Sequence, residues 1–176
     1  MRILIALTYY RPHYSGLTIY TERLARALVD LGHQVTVLTS QFEKELPREE
    51  IVDGVKVIRL PVALHISKGV IMPSMPFVAW REIRKADIVN IHLPQLDAAP
   101  IALNARILGK PVLLTYHCDL LLPSGFINRL ANIASDVANH IASSSAAKIV
   151  TNTMDYAYNS GFLGRYIDKV QEIPPP

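Results

Sequence analysis

Residues 1–39, MRILIALTYYRPHYSGLTIYTERLARALVDLGHQVTVLT, hold two strand-like runs with a helical pattern between them. Ile3–Leu7 is unbroken and apolar, as a strand buried on both faces must be. Thr18–Leu31 places Tyr20, Leu24, Leu28 and Leu31 on one side at helical spacing, which predicts a helix. Gly32 stands where a left-handed residue would end that helix. Val35–Leu38 is the next apolar run. Strand, crossover helix and second doubly buried strand form the repeating unit of a parallel sheet.

The pattern continues along the chain. A polar stretch, Gln41–Asp53, reads as an exposed loop before the strand Val55–Leu60. Further strands are expected at Ile88–Ile91, Val112–Thr115, Lys148–Thr151 and Val170–Ile173. Helices are expected at Ala98–Leu108, Ile127–Ile141 and Met154–Ser160. The fold class is therefore α/β, a doubly wound and mostly parallel sheet with helices on both faces.

The 176 residues are 50% hydrophobic and 19% charged. That supports one domain with a sizeable core and excludes a disordered tail. One cysteine, Cys118, excludes a disulfide-stapled miniprotein and fits a reducing cytoplasm, the expected location. Lys and Arg number 18 against 15 Asp and Glu, a net charge of +3 without a basic run, so no nucleic-acid partner is expected. No stretch reaches the roughly 18 apolar residues of a membrane span. The short run at Met1–Leu7, followed by Arg11 and Pro12, lacks a small-residue cleavage site and reads as a strand.

In doubly wound sheets, ligands bind beyond the carboxyl ends of the strands, near a switch in strand order. The loop Thr8–Leu17 leaves the first strand and feeds the first helix. A helix start offers free N–H groups and a positive dipole end to a phosphate, and Gly16 permits close backbone approach. Glycine before a helix is also ordinary turn chemistry, and both readings stand. Tyr116-His117-Cys118-Asp119 follows the strand Val112–Thr115. An imidazole there hydrogen-bonds a hydroxyl or exchanges a proton, or simply caps the strand end. His92, closing the strand Ile88–Ile91, either lines the same crevice or packs. Cys118 stands beside His117 as a nucleophile would, but neighbours leaving a strand point to opposite faces, and a buried small hydrophobe is the expectation.

No His or Cys pair has zinc-ligand spacing, and no metal is expected. Gly-x-Gly occurs nowhere, which argues against a nicotinamide oxidoreductase. P-loop and Gly-x-Ser-x-Gly motifs are absent as well. Arg59–Lys85 mixes Val70, Ile71, Met72, Met75, Phe77, Val78 and Trp80 with Arg59, Lys68, Arg81, Arg84 and Lys85. That suits either an anionic membrane surface or a core helix with a solvated face.

Tyr10, Pro12, Gly16, Tyr20, Leu24-Ala25, Leu28, Gly32-His33, Val35, Val37 and Thr39 together resemble the opening of GT-B glycosyltransferases, closest to family 4. Ala86–His92, the segment Gly109–His117, and Ile149–Asn152 with Lys169–Pro174 resemble later segments of the same family. The resemblance implies the Rossmann-like, acceptor-side half of a GT-B fold over residues 1–173, with 174–176 opening an interdomain linker. The nucleotide-gripping half, with its Glu-x(7)-Glu motif, is expected outside this sequence, where no two glutamates are eight apart.

The implied activity is retaining transfer from a nucleotide-diphosphate sugar to a sugar or lipid-linked acceptor, without a metal, and without activity in this half alone. The likeness puts Gly16 against the donor diphosphate with Leu17 beside it. It puts His117 against the donor sugar near the reacting carbon, as the catalytic residue. Many members have Gly-Gly where this chain has Gly16-Leu17, so the Leu17 side chain is expected to crowd the diphosphate. The crevice loops supply Tyr9, Arg11, His13, Tyr14, His92 and Asp119 as acceptor-side candidates. The alternative is a non-catalytic binding or membrane-docking subunit that lends its crevice to a separate nucleotide-binding partner, with peripheral contact at the inner face of the membrane.

Overall fold

The computed structural model describes residues 1–66, 69–119 and 125–176. Lys68 of the basic and apolar stretch, and residues 120–124 after Asp119, lie outside them. The elements run β1 (Arg2–Ala6), α1 (Gly16–Asp30), β2 (Gln34–Gln41), β3 (Glu49–Val52), β4 (Val55–Pro61), β5 (Leu64–Ile66), β6 (Gly69–Ile71), α2 (Met75–Lys85), β7 (Ile88–Leu93), α3 (Ala98–Ile107), β8 (Val112–Tyr116), α4 (Phe126–Ser145), β9 (Lys148–Thr151), α5 (Met154–Asn159), a 3-10 helix (Leu163–Lys169) and β10 (Val170–Glu172). One eight-stranded sheet has the order β10-β9-β8-β7-β1-β2-β4-β3. Its pairs are parallel except for the β3–β4 hairpin. β5 and β6 form a separate antiparallel pair.

The alternation of β1 explains the two-sided core. Leu4 and Ala6 join the cluster that includes Ile83 of α2, Ile101 of α3 and Ala142 of α4, while Ile5 and Leu7 join Ala25 of α1 on the other face. Helices therefore cover both faces. Successive strands add outward from β1 in two directions, first through β2 and then through β7, so the order switches between β1 and β7.

Helix α1 starts and stops where its sequence dictates. The Ser15 side chain accepts from the Thr18 amide at 3.1 Å, an N-cap. Gly32 adopts φ +82°, its N–H bonds the Val29 carbonyl and that of His33 bonds Leu28, a Schellman stop. The expected apolar face is displaced, because Leu31 is exposed while Thr18, Tyr20, Thr21 and Ala25 are buried. The sheet lies against that side, and it selects polar threonines that find partners there.

The Gln41–Asp53 stretch is not all loop, since its end forms edge strand β3. Asp53 and Gly54 both take positive φ, a two-residue hairpin turn. Only one side of β3 packs, which gave its residues the polarity of a loop.

Arg59 opens the basic and apolar stretch that suits an anionic surface. It is not a surface cation but 2% exposed, pairing with Glu50 at 2.5 Å and donating to the carbonyls of Pro47 at 3.1 Å and Arg11 at 2.8 Å. Val70, Met72 and Met75 are buried too. Of the basic and apolar stretch, α2 keeps Phe77, Trp80, Arg81, Arg84 and Lys85 exposed.

Candidate functional site

The loop after β1 is fixed at both ends. Thr39 Oγ1 and Ser40 Oγ donate to the Thr8 carbonyl at 3.1 and 2.6 Å. Arg11 pairs with Glu22 of α1 at 2.9 Å, and its guanidinium lies 3.9 Å from the centre of the Tyr14 ring. The His13 ring lies 4.7 Å from Tyr9, centre to centre, at 20° between planes. Arg11 and Tyr14 thus shape the loop and do not line the cavity beside it.

That cavity measures about 570 Å³. Its walls come from the β1 loop (Tyr9, His13), the start of α1 (Ser15, Leu17), the β5–β6 hairpin, the loop after β7 (Pro94, Gln95, Leu96), the loop after β8 (Cys118, Asp119) and α4 (Ala131, Ser135). These are the carboxyl ends of β1, β7 and β8, straddling the switch in strand order where a doubly wound sheet binds its ligand. No lysine or arginine lines it among the described residues.

Beside the cavity, the strands β7 and β8 carry a polar row on the face that α1 covers. Val89, Ile91 and Leu93 point into the opposite core, so Asn90 and His92 point towards α1. Asn90 Nδ2 donates to the Leu113 carbonyl at 3.2 Å and to Thr115 Oγ1 at 2.9 Å. A carbonyl only accepts, which fixes the amide orientation and presents Asn90 Oδ1 to His92 Nε2 at 2.8 Å. His92 therefore carries its proton on Nε2 and leaves Nδ1 bare. Thr21 Oγ1 lies 3.1 Å from that Nδ1, but its proton has the Leu17 carbonyl at 2.9 Å. His117 Nε2 lies 2.9 Å away, so His117 donates from Nε2. Its own Nδ1 is then left as an acceptor. The two imidazole planes differ by 25°, and Tyr20 closes over His117 edge-on at 4.9 Å between ring centres.

Burial pushes the His117 imidazole down to about 4. Burial first, and His117 second, hold His92 well below the ordinary histidine range. Free histidines take up protons near pH 6.5. The unfolded chain thus binds more protons than the folded one between about pH 6.5 and 4, and stability is lost as pH falls through that window. Calorimetric melting from about pH 7 to about pH 4.5 should show a falling Tm, and His117→Gln should flatten the fall.

His92 is fully buried and His117 partly so, and neither imidazole is among the residues that line the cavity, although Cys118 beside His117 is. Asp119 borders the cavity, but its Oδ1 accepts from Tyr116 Oη at 2.6 Å and Ser160 Oγ at 2.9 Å. Leu17 packs partly against the α1-side core, so its side chain is not wholly free in the crevice. A Cβ at Gly16 would meet nothing within 4 Å. Cys118 is exposed, not buried. β8 ends at Tyr116, and strand alternation does not govern a residue two positions beyond.

The structure also brings in Gln95 and Ser135. Both are buried and border the cavity, and neither the Gln95 amide nor the Ser135 hydroxyl has a partner among the described residues. No motif marks them. Among the described residues, no group of three or more His, Cys, Asp or Glu side chains could hold a metal ion.

The model of one family, the glycosyl transferase 4-like domain, matches residues 15–176. The chain belongs to that family. It is a GT-B-like glycosyltransferase domain, and two solved structures share its fold. Sucrose-phosphate synthase from Thermosynechococcus elongatus aligns with a TM-score of 0.62 at 16% identity, over 98% of this chain and 47% of its own. An alpha-glucosyltransferase in complex with UDP and a 13-mer DNA aligns with a TM-score of 0.59 at 13% identity, over 100% of this chain and 42% of its own. The glycosyltransferase domain described here thus spans less than half the length of each. No curated protein matches it. Among its described residues, no helix is long and apolar enough to cross a membrane.

Proposed function

We propose that this glycosyltransferase domain is the acceptor-side half of a retaining enzyme that takes its sugar from a nucleotide-diphosphate donor held by a second domain. One observation carries the reading: the neutral His117, its Nε2 proton directed at His92 Nδ1, stands at the carboxyl end of β8 against Tyr20 of α1. There the bare Nδ1 accepts a hydrogen bond from a donor-sugar hydroxyl near the reacting carbon. Ser15 takes up the Thr18 amide, while the amides of Gly16 and Leu17 have no partner within the helix. They face the diphosphate, and the open space around Gly16 lets it approach. The leaving diphosphate is neutralised mainly by basic groups of the second domain, without a metal. The acceptor, a sugar or a lipid-linked sugar, occupies the cavity beside Tyr9, His13 and Asp119.

The test joins the chain to a nucleotide-sugar-binding half from its family. UDP-sugars are tried first because UDP is bound in the structurally similar alpha-glucosyltransferase. The 176-residue chain alone should transfer nothing. The completed enzyme should give a product whose anomeric proton couplings show retained configuration. Inverted product would overturn the retaining assignment.

A second reading concerns location. Phe77 and Trp80 are exposed on α2 next to Arg81, Arg84 and Lys85, which favours peripheral contact of this glycosyltransferase domain with an anionic membrane at its cytoplasmic face. The chain should sediment with phosphatidylglycerol vesicles at low salt and leave them at about 1 M salt. Phe77→Ala should weaken that binding. Absence of low-salt binding would end this reading.

A further inference from the structure

Helix α4 is built inside out. Its buried side carries Ala131, Ser135, Ala138 and Ala142, small residues that allow close packing. Its large apolar residues point the other way: Phe126 is 77% exposed, Leu130 52%, Ile133 53% and Val137 53%. These four follow the alternating four- and three-residue spacing of a coiled-coil seam. The domain's own core explains none of them, and an exposed apolar row of this kind marks an interaction surface.

We infer that α4 pairs with α4 of a second copy of this chain, antiparallel about a two-fold axis. The register is self-complementary. In the arrangement that sets Leu130 against Ile133 of the second copy, Phe126 falls against Val137 with no further shift, and the axis repeats both contacts. The flanking charges follow the same symmetry. Arg129 and Asp136 are both exposed, sit at equivalent flanks of the seam, and come within side-chain reach of each other across the axis. The intrachain neighbour of Asp136 is His140 at 3.7 Å, and its side chain remains largely open to solvent. A lipid surface fits less well, because α4 lacks the lysine- and arginine-rich polar face of a membrane-lying helix. One helix pair covers less than the ~800 Å² per partner of a standard interface, so the dimer belongs with weak, concentration-dependent associations.

Sedimentation equilibrium of the full chain between about 1 and 100 μM tests this. The wild type should show a monomer–dimer equilibrium. Leu130→Glu or Ile133→Glu should leave only monomer with an unchanged melting profile, since both positions are exposed. Arg129→Asp should weaken the dimer about tenfold, and adding Asp136→Arg should restore it to within about threefold, because the pairs are remade with reversed sign. A wild type that stays monomeric overturns the inference. So does a dimer indifferent to the glutamate variants, or a charge swap that fails to rescue. A monomeric wild type whose vesicle binding is lost in Ile133→Glu would assign the stripe to a lipid surface instead.

Discussion

In the enzyme completed by a nucleotide-binding half, replacing His117 with alanine should lower kcat about 100- to 1000-fold. That is the usual cost of deleting one group that contacts the reacting centre. Melting at neutral pH should also fall modestly, because alanine leaves the buried His92 Nδ1 without its donor. His92 gives the sharper comparison, since it is sealed behind His117. His92→Gln retains a carbonyl that accepts from His117 Nε2 and an amide that donates to Asn90 Oδ1, so it should keep most of the activity. His92→Leu removes the acceptor, frees the His117 tautomer and should cost about tenfold in kcat. Nitrogen-15 shifts of the His117 ring read the tautomer directly. They should show Nε2–H in the wild type and in His92→Gln, and a mixture in His92→Leu. A wild-type ring protonated on Nδ1 would contradict the proposed contact.

Arg59→Leu should destabilise the fold by about 3 kcal/mol, from the loss of two charge-assisted hydrogen bonds to carbonyls together with the ion pair to the partly exposed Glu50. Tm should then fall by about 6–12 °C in a chain of this size. The guanidinium ties the hairpin strand through Glu50 to the β1 loop through the Arg11 carbonyl. Its loss takes a donor from the part-buried Arg11 and Pro47 carbonyls and loosens the segment that carries Tyr9 and His13. Arg59→Lys should recover little, because an ammonium lacks the planar fork that spans several acceptors. Denaturant melts of the two variants beside the wild type settle the point. A loss under about 1 kcal/mol would place the latch elsewhere.

The β1–α1–β2 unit could be read from its residues because every signal there agreed. Doubly buried strands are continuous, and Gly32 had to be left-handed to close the helix. The edge strand β3 was harder. Its alternation involves one buried side, and Asp53-Gly54, the hairpin signal, sat inside a stretch whose polarity suggested a loop. For His92 and Cys118 the sequence stated a location along the chain, while burial depended on what covered them. α1 seals the first, and the chain leaves the sheet before the second. Arg59 looked like surface charge because a salt bridge to Glu50 is a relation in space. Gln95 and Ser135 had no spacing to mark them, since one follows β7 and the other lies on α4. They meet only because the loops gather at the strand ends.

The absence of lysine and arginine from the described cavity wall has an evolutionary consequence. On the proposed two-domain reading, the donor's negative charge is handled outside this wall, so mutation can recut the wall without disturbing leaving-group chemistry. Duplicated genes could then diverge in what they glycosylate by drifting at Leu96 and Ala131. A combinatorial library at those positions is the place to look for altered selectivity with turnover preserved.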